Sequence, residues 1–185
     1  MPLHASVRLT LSLASLIADM KKLSEATLTK IANERTKYPS GLSVLLPTLW
    51  WAQEERLVFD VPTMDYIAEI LEISPIRVYE AVTFYTMFNR KPVGRYHFQV
   101  CHNISCSILG AEHIIEYLKK KLNVGEGEVT PDGLFSVTRA ECLGSCGTAP
   151  MLQMNDRFYE NLTEARLDYL ISELRNDHLP DKWND

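Results

Sequence analysis

Four cysteines in two close pairs constrain this chain more than any other feature of its sequence. Cys101 and Cys106 form a C-x4-C pair, and Cys142 and Cys146 form a C-x3-C pair after residues 107–141. These are all the cysteines in the 185-residue chain. Four thiolates in two pairs can hold a [2Fe–2S] cluster, with two thiolates on each iron. The spacing therefore favours an iron–sulfur centre.

Other fates of the cysteines stay open on spacing alone. Structural zinc sites often use C-x2-C on both sides, which neither pair provides. The spacing of the four cysteines also differs from that of plant-type ferredoxins. Two disulfides would suit a small secreted protein, but this chain is larger and has no convincing secretion signal. Structural zinc, two disulfides and buried unreactive thiols therefore remain the alternatives to the cluster.

The surroundings of the cysteines suit an anionic ligand. Gly144 lies inside the second pair and Gly147 follows it. Glycine allows tight turns and close approach of backbone amides, which an anionic cluster needs. We expect Gly144 to lie close to the cluster. Cys106 opens a predicted helix, whose positive N-terminal end favours a thiolate.

Histidine is a weaker ligand candidate. His102 follows Cys101 directly and suggests a Rieske centre, in which two histidines replace two thiolates on one iron. Four cysteines already complete the set, and the sequence near Cys142 contains no second histidine. We therefore expect His102 to orient or surround the site rather than to bind iron.

Three sequence strings together carry a family resemblance. They are Cys101-x4-Cys106, Glu-Cys-Leu-Gly-Ser-Cys-Gly-Thr-Ala-Pro at 141–150 and Val-Thr-Phe-Tyr-Thr-Met-Phe at 82–88. Over roughly residues 30–174, the chain resembles the E-subunit family of NADH-quinone oxidoreductase, which is an iron–sulfur subunit of respiratory complex I. It departs from the family near Arg56, where a Gly-Trp pair is usual.

The resemblance implies a function and its partners. One [2Fe–2S] cluster would be held by Cys101, Cys106, Cys142 and Cys146 in a thioredoxin-like domain. It would exchange one electron with the FMN of a flavoprotein subunit that oxidises NADH, off the main path to quinone. A further iron–sulfur subunit is also implied, in a complex peripheral to the cytoplasmic side of the bacterial inner membrane, or the matrix side in a eukaryote. The homologous subunit of an NAD-linked hydrogenase or formate dehydrogenase is the alternative.

Sequence periodicity predicts an α+β chain. We expect an N-terminal extension over 1–22, a helical bundle that docks a partner over 23–92, the [2Fe–2S] domain over 93–178 and a tail over 179–185. The bundle's helices are predicted over 24–38 and 43–58, from Pro62, and from Pro75 to 88. The apolar faces of the four helices are predicted to consist, in chain order, of Leu28, Ile31 and Ala32; Leu46, Leu49, Trp50 and Trp51; Met64, Ile67, Ala68 and Leu71; and Val78, Tyr79 and Val82.

The sequence of the second domain predicts, in order, a strand, a helix, a strand, a hairpin and a helix. Alternation over 95–101 and 133–141 predicts two strands that deliver Cys101 and Cys142. A helix follows Cys106, with its apolar face from Ile108 to Leu122. A hairpin should turn at 155–156, and Thr163 should cap the last helix. With the resemblance, this order implies the thioredoxin-like fold.

Composition excludes several functions. The formal net charge is −5, and a possible helix-turn-helix over 67–85 is acidic, which disfavours nucleic acid. No apolar run reaches the length of about 18 residues that a membrane span needs. A short stretch over 9–18 resembles a weak targeting signal, but an N-terminal extension is the simpler interpretation. The absence of C-x-x-C disfavours a thioredoxin-like disulfide enzyme.

Overall fold

The computed structural model describes residues 22–180. The predicted extension over 1–22 and tail over 179–185 therefore fall largely outside the described residues. The chain divides between Lys91 and Pro92 into two compact units. Within residues 22–180 the helices are all too short or too polar to cross a membrane.

Over residues 22–91 the first unit contains helices and no strand. It contains α1 (Glu25–Arg35), a 3₁₀ turn (Gly41–Val44), α2 (Leu45–Glu54), α3 (Val61–Leu71) and α4 (Pro75–Phe84). Capping residues fix the helix starts. Ser24 accepts a hydrogen bond from the Thr27 amide and Asp60 accepts one from the Thr63 amide, while Pro75 opens α4. The apolar faces meet in one core that includes Ile31, Leu49, Phe59, Ile67, Leu71 and Val78.

Two of the helix bounds in this unit were predicted wrongly. The second helix starts as a 3₁₀ turn and ends at Glu54 instead of Val58, since Arg56 takes a left-handed φ of 62°. The fourth helix ends at Phe84 instead of Phe88. Apolar spacing continues past both ends, but the backbone turns, so periodicity alone overestimated the lengths.

Most residues of the predicted apolar faces are buried, but Ala32 and three large side chains are exposed. Leu46, Trp50 and Tyr79 are 37%, 41% and 43% exposed. Each lies on a helix whose inner face is filled by neighbours such as Leu49 and Val78. A helix buries only one stripe, so the adjacent apolar positions face outward.

The second unit is built on a mixed sheet. Its elements are β1 (Tyr96–Cys101), α5 (Ile104–Ile108), α6 (Ala111–Leu122), β2 (Phe135–Ala140), β3 (Leu152–Met154), β4 (Arg157–Tyr159) and α7 (Glu164–Arg175). The sheet has four strands in the order β2-β1-β3-β4. β1 and β2 are parallel, and the other neighbouring pairs are antiparallel.

The core of this unit lies between the sheet and its helices. β1 is buried along nearly its whole length, as a central strand should be. α6 contributes Ile114, Ile115 and Leu118. Thr163 caps α7 by accepting a hydrogen bond from the Arg166 amide, as predicted. The resulting cluster includes Phe98, Phe135, Val137, Leu152, Tyr159, Leu167 and Leu170.

The helix predicted to open at Cys106 begins instead at Ile104 and is divided in two. Gly110 takes a φ of 97°, and the chain changes direction there between α5 and α6. Ile108 consequently leaves the predicted apolar face and is 78% exposed. A left-handed glycine ends one helix and starts the next without the cost that a Cβ would bring.

Candidate metal centre

Two parallel strands bring the cysteine pairs to one edge of the sheet. Cys101 is the last residue of β1 and pairs in register with Ala140, the last residue of β2. The His102 amide donates to the Ala140 carbonyl at 3.1 Å, which extends the pairing beyond the strands. Because parallel strands end at the same edge, Cys142 emerges beside Cys101 although residues 102–141 separate them in sequence.

The short helix α5 completes the first pair. Asn103 caps it by accepting a hydrogen bond from the Ile104 amide at 2.9 Å. Cys106 lies on the buried side of α5 and is 2% exposed, whereas Ile104 is 74% exposed. The Cys101 amide donates to the Met151 carbonyl at 3.1 Å. Cys101, Cys106 and Met151 share a small buried apolar cluster.

Burial controls the protonation of Cys106. Burial chiefly, together with a hydrogen bond with Cys101, raises the pKa of the Cys106 thiol to about 11. A hydrogen bond from the Met151 backbone acts in the opposite direction, and Cys146 is close enough to contribute a small electrostatic effect. Without metal, Cys106 is therefore a neutral thiol. A bound metal ion would replace its proton, because the thiolate is the ligand.

The second pair has ligand geometry and an open environment. Cys142 and Cys146 are both exposed, and their Sγ atoms lie 3.8 Å apart. Two thiolates on one tetrahedral metal with bonds of about 2.3 Å lie about 3.8 Å from each other. In residues 22–180 no three His, Cys, Asp or Glu side chains converge on a single ion position. The Cys142 and Cys146 thiols are spaced as two ligands of one ion would be, and two such pairs would supply the donors of a binuclear [2Fe–2S] cluster.

The loop between Cys142 and Cys146 depends on Gly144. Its φ is 84°, in the left-handed region that favours glycine. Apart from Gly144 and its two chain neighbours, no described residue has a heavy atom within 4 Å of the position that a Cβ would occupy at Gly144. The backbone conformation, and not a protein neighbour, therefore explains the glycine. A short 3₁₀ turn over Cys146–Thr148 follows.

A carboxylate that sequence reasoning missed supports this loop. Glu160, just after β4, accepts hydrogen bonds from the hydroxyls of Ser145 and Thr148, the latter at 2.8 Å. Ser145 and Thr148 flank Cys146 closely in sequence. Local spacing gives no sign of this contact, because Glu160 reaches the loop only through the β3–β4 hairpin.

His102 lies at the rim of the site. Its Nε2 is 3.7 Å from Glu141 Oε1, and its side chain is 37% exposed. Glu141 precedes Cys142 directly. This contact therefore connects the two cysteine-bearing segments.

Comparisons with known proteins find a matching family and similar relatives. The family described as thioredoxin-like [2Fe-2S] ferredoxin matches residues 28–175. In Rhizobium meliloti (strain 1021), the NADH-quinone oxidoreductase E subunit numbered 2 is 41% identical over 139 residues, covering 75% of this chain and 83% of that protein. In Rickettsia bellii (strain RML369-C), the NADH-quinone oxidoreductase E subunit is 44% identical over 144 residues, covering 76% of this chain and 86% of that protein.

A solved structure shares the fold. The crystal structure of NAD+-reducing [NiFe]-hydrogenase in the air-oxidized state matches with a TM-score of 0.65 at 23% identity. The match covers 76% of this chain and 24% of the hydrogenase chain, so this chain spans about a quarter of that length. The H2-reduced state gives the same values.

Proposed function

This chain belongs to the thioredoxin-like [2Fe–2S] ferredoxin family and, within it, to the E subunits of NADH-quinone oxidoreductase, and from that premise we propose that it exchanges single electrons with the FMN of a flavoprotein subunit. It is a [2Fe–2S] electron-carrier subunit of an oxidoreductase complex.

The pairing of the thiols carries the proposal. We assign Cys101 and Cys106 to one iron, and Cys142 and Cys146, whose sulfur atoms are 3.8 Å apart, to the other. The bound cluster supplies a centre that takes up and releases one electron. The buried pair shields one side of this centre, and the exposed pair leaves the other side open to a partner.

A flavin in the partner explains how NADH can feed this centre. Hydride transfer delivers two electrons together, whereas a [2Fe–2S] centre normally takes one. A dinucleotide site commonly needs G-x-G-x-x-G, but the sequence offers only Gly125-Glu-Gly127, with Thr130 at the third position. We therefore place both FMN and NADH on the flavoprotein subunit. A further iron–sulfur subunit would carry electrons onward.

The helical unit offers a surface for that flavoprotein. A groove of about 670 Å³ is lined mainly by apolar side chains at the end of α4 and around α2, including Leu42, Leu46, Phe84 and Tyr85. Phe84 is 76% exposed, which is unusual for so large an apolar side chain in a protein without a partner. Aromatic residues are enriched in interface cores. We assign this groove to the flavoprotein because a subunit of a complex must bury such a patch somewhere.

We place the complex at the membrane without insertion of this chain. The relatives are named as subunits of a quinone oxidoreductase, and quinones reside in the bilayer. The helices described here are unsuited to spanning a membrane. The chain would accordingly sit peripherally on the cytoplasmic side of a bacterial inner membrane, or on the matrix side in a eukaryote.

A second candidate has a specific observation in its favour. The fold matches NAD+-reducing [NiFe]-hydrogenase, so the chain could instead serve as the homologous subunit of an NAD-linked hydrogenase or formate dehydrogenase. The proteins that co-purify with this chain decide between them. Co-purification with a hydrogenase or formate dehydrogenase subunit, together with reduction of the cluster by hydrogen or formate, would favour the second candidate.

Spectroscopy of the purified chain tests the central proposal. After anaerobic reconstitution with iron and sulfide, dithionite reduction should give the spin-half EPR signal of a reduced [2Fe–2S] cluster. Iron and acid-labile sulfide should each approach two per chain, as the cluster's formula requires. A silent spectrum together with tightly bound zinc would reject the assignment.

A further inference from the structure

We propose that Glu160 is a positioning residue for the cluster, holding Cys146 in place through the hydroxyls of Ser145 and Thr148. The inference rests on the proposed role of Cys146 as an iron ligand. It adds a carboxylate that does not itself bind iron but fixes the loop that does.

One carboxylate oxygen gathers both hydroxyls. Thr148 Oγ1 donates to Glu160 Oε1 at 2.8 Å, and the Ser145 hydroxyl donates to the same oxygen. Ser145 Oγ and Thr148 Oγ1 are themselves 2.9 Å apart. The Thr148 amide closes the turn on the Ser145 carbonyl at 3.2 Å. Cys146 lies inside this turn, so its backbone position depends on the two flanking hydroxyl contacts.

The anchor is itself held firmly. Glu160 follows Tyr159, which is 2% exposed at the end of β4. The Asn161 amide donates to the Thr148 carbonyl at 2.7 Å, and Arg166 Nη1 donates to the Asn161 carbonyl at 3.0 Å. Glu160 therefore links the loop to the sheet and to the start of α7. A ligand is held accurately only when its supporting residues are fixed in this way.

The exposure of Cys146 makes this support necessary. Cys101 and Cys106 are fixed by burial in an apolar cluster, whereas Cys142 and Cys146 are exposed. Leu143 and Ala149 in the loop pack partly against that cluster, but Cys146 itself is exposed, so hydrogen bonds must provide much of its restraint. The charge of Glu160 also has an electronic effect. A carboxylate near an anionic cluster disfavours an added electron, so its neutralisation should raise the reduction potential.

Two substitutions of Glu160 distinguish its role as a hydrogen-bond acceptor from the effect of its negative charge. Glu160→Ala removes the acceptor, and we expect the cluster to be lost to an iron chelator roughly tenfold faster than from the unsubstituted chain. Glu160→Gln keeps an acceptor oxygen and removes the charge. This variant should release iron at a rate within about twofold of that of the unsubstituted chain. At a fixed ambient potential, however, a larger fraction of its cluster should be reduced than in the unsubstituted chain. Asp156→Asn, in the exposed hairpin turn, is the charge-matched control and should change neither property.

A coupled set of variants tests the route through the hydroxyls. The Ser145→Ala/Thr148→Val double variant should release iron about as fast as Glu160→Ala, and adding Glu160→Ala to it should accelerate release no further. Hydrogen exchange at the amides of 145–148 should rise in Glu160→Ala even before cluster is loaded. If Glu160→Ala does not fold, the rate of iron release from the Ser145→Ala/Thr148→Val variant is sufficient to test the positioning role.

Several outcomes would overturn the inference. Unsubstituted release rates in both Glu160→Ala and the double variant would remove the positioning role, as would fully additive effects of the two. An equal shift of potential in Asp156→Asn and Glu160→Gln would remove the local electronic effect. These failures leave the cluster in the unsubstituted chain intact. Absence of any cluster from the unsubstituted chain would instead overturn the proposed function and this inference with it.

Discussion

Cys101 lies directly beside Ala140 as its partner in the parallel register of β1 and β2. Two residues after Ala140 the chain reaches Cys142, so the strand pairing itself sets the distance between the two cysteine segments. The first pair is then completed by a helix and the second by a loop. This difference in support makes the four cysteines unequal.

The first prediction concerns replacement of each cysteine by serine. Oxygen is a harder ligand than sulfur, so each replacement should cause cluster loss or a large shift in potential. Cys101→Ser and Cys106→Ser should also destabilise the fold, because a hydroxyl replaces a buried thiol. Cys142→Ser and Cys146→Ser, at exposed positions, should change the free energy of unfolding of the metal-free chain by no more than about 0.5 kcal/mol.

Iron content, EPR and redox titration measure these effects. Ser107→Ala, an exposed change on the same helix as Cys106, is the matched control and should be silent. A cysteine whose replacement leaves iron content, spectrum and potential unaltered is not a ligand.

The second prediction separates backbone conformation from close approach at Gly144. Its φ of 84° costs a side-chain-bearing residue about 1–2 kcal/mol. Gly144→Val should therefore lower iron occupancy while circular dichroism stays near that of the unsubstituted chain. Gly144→Asn should retain more iron, since asparagine tolerates this region. Gly147→Ala, where φ is not positive and the added Cβ meets open space, is the control and should keep full occupancy.

The comparison of Asn and Val at Gly144 also tests our sequence interpretation. We expected Gly144 to approach the cluster closely. Equal damage by both substitutions would favour that close approach, whereas rescue by asparagine would assign the glycine to its left-handed turn.

Much of this architecture could be predicted because it depends on local patterns. The alternation around Phe98 indicates a buried strand, the spacing of Ile115 and Leu118 indicates a helix face, and Thr163 indicates a cap; all three predictions are confirmed. The α+β class and the thioredoxin-like fold are also confirmed. In each case a short stretch of sequence contains the physical cause.

The missed features depend on tertiary contacts. Nothing near Ser145 in sequence reveals that Glu160 accepts its hydrogen bond, because the hairpin between them determines the contact. The exposure of Phe84 was equally hard to predict, since an apolar side chain for a partner has the same periodicity as one for the core. Periodicity identifies which side chains avoid water, but not what covers them.

The third prediction concerns pH and His97. Burial lowers the pKa of His97 from 6.5 to about 4. Its Nε2 lies 2.7 Å from Thr138 Oγ1, while its Nδ1 has no hydrogen-bond partner within the described part of the chain. Between pH 6.5 and 4 the unfolded chain binds a proton that the folded chain rejects. Because of His97, the free energy of unfolding should therefore fall by about 2 kcal/mol when the pH is lowered from 7 to 5.

Denaturant titrations at several pH values measure this effect. His97→Gln, which cannot bind the proton, should flatten the pH dependence by about that amount. His113→Gln is the control, because His113 is an exposed partner of Glu164. A His97→Gln chain with the same pH slope as the unsubstituted chain would contradict the buried neutral state.

The fourth prediction concerns the groove of the helical unit. Phe84→Glu places a charge in the assigned interface, where burial without a partner is costly. It should weaken co-purification with the flavoprotein at least tenfold while the cluster signal remains, since a buried aromatic anchor often contributes more than about 1 kcal/mol. Tyr169→Glu, at a 51% exposed aromatic residue on α7, is the control. A fragment that starts near Pro92 lacks the helical unit. It should still bind iron and sulfide but should fail to co-purify with the flavoprotein.

Normal co-purification of either the Phe84→Glu chain or the fragment would show that the helical unit is not the docking surface. Loss of binding only in Tyr169→Glu would move the interface to the second unit.

The last prediction is that the isolated chain does not oxidise NADH. A [2Fe–2S] centre accepts single electrons, and hydride transfer supplies two, so a flavin must act between them. The sequence lacks a G-x-G-x-x-G turn, and Glu126, inside its one G-x-G, would place a negative charge beside a phosphate. Mixing NADH with the anaerobic holo-chain should therefore leave its visible absorbance unchanged, and adding the flavoprotein should bleach it. Dithionite serves as the positive control for a reducible cluster. Rapid bleaching by NADH alone would mean that this chain has its own site for hydride chemistry and is not simply an electron carrier.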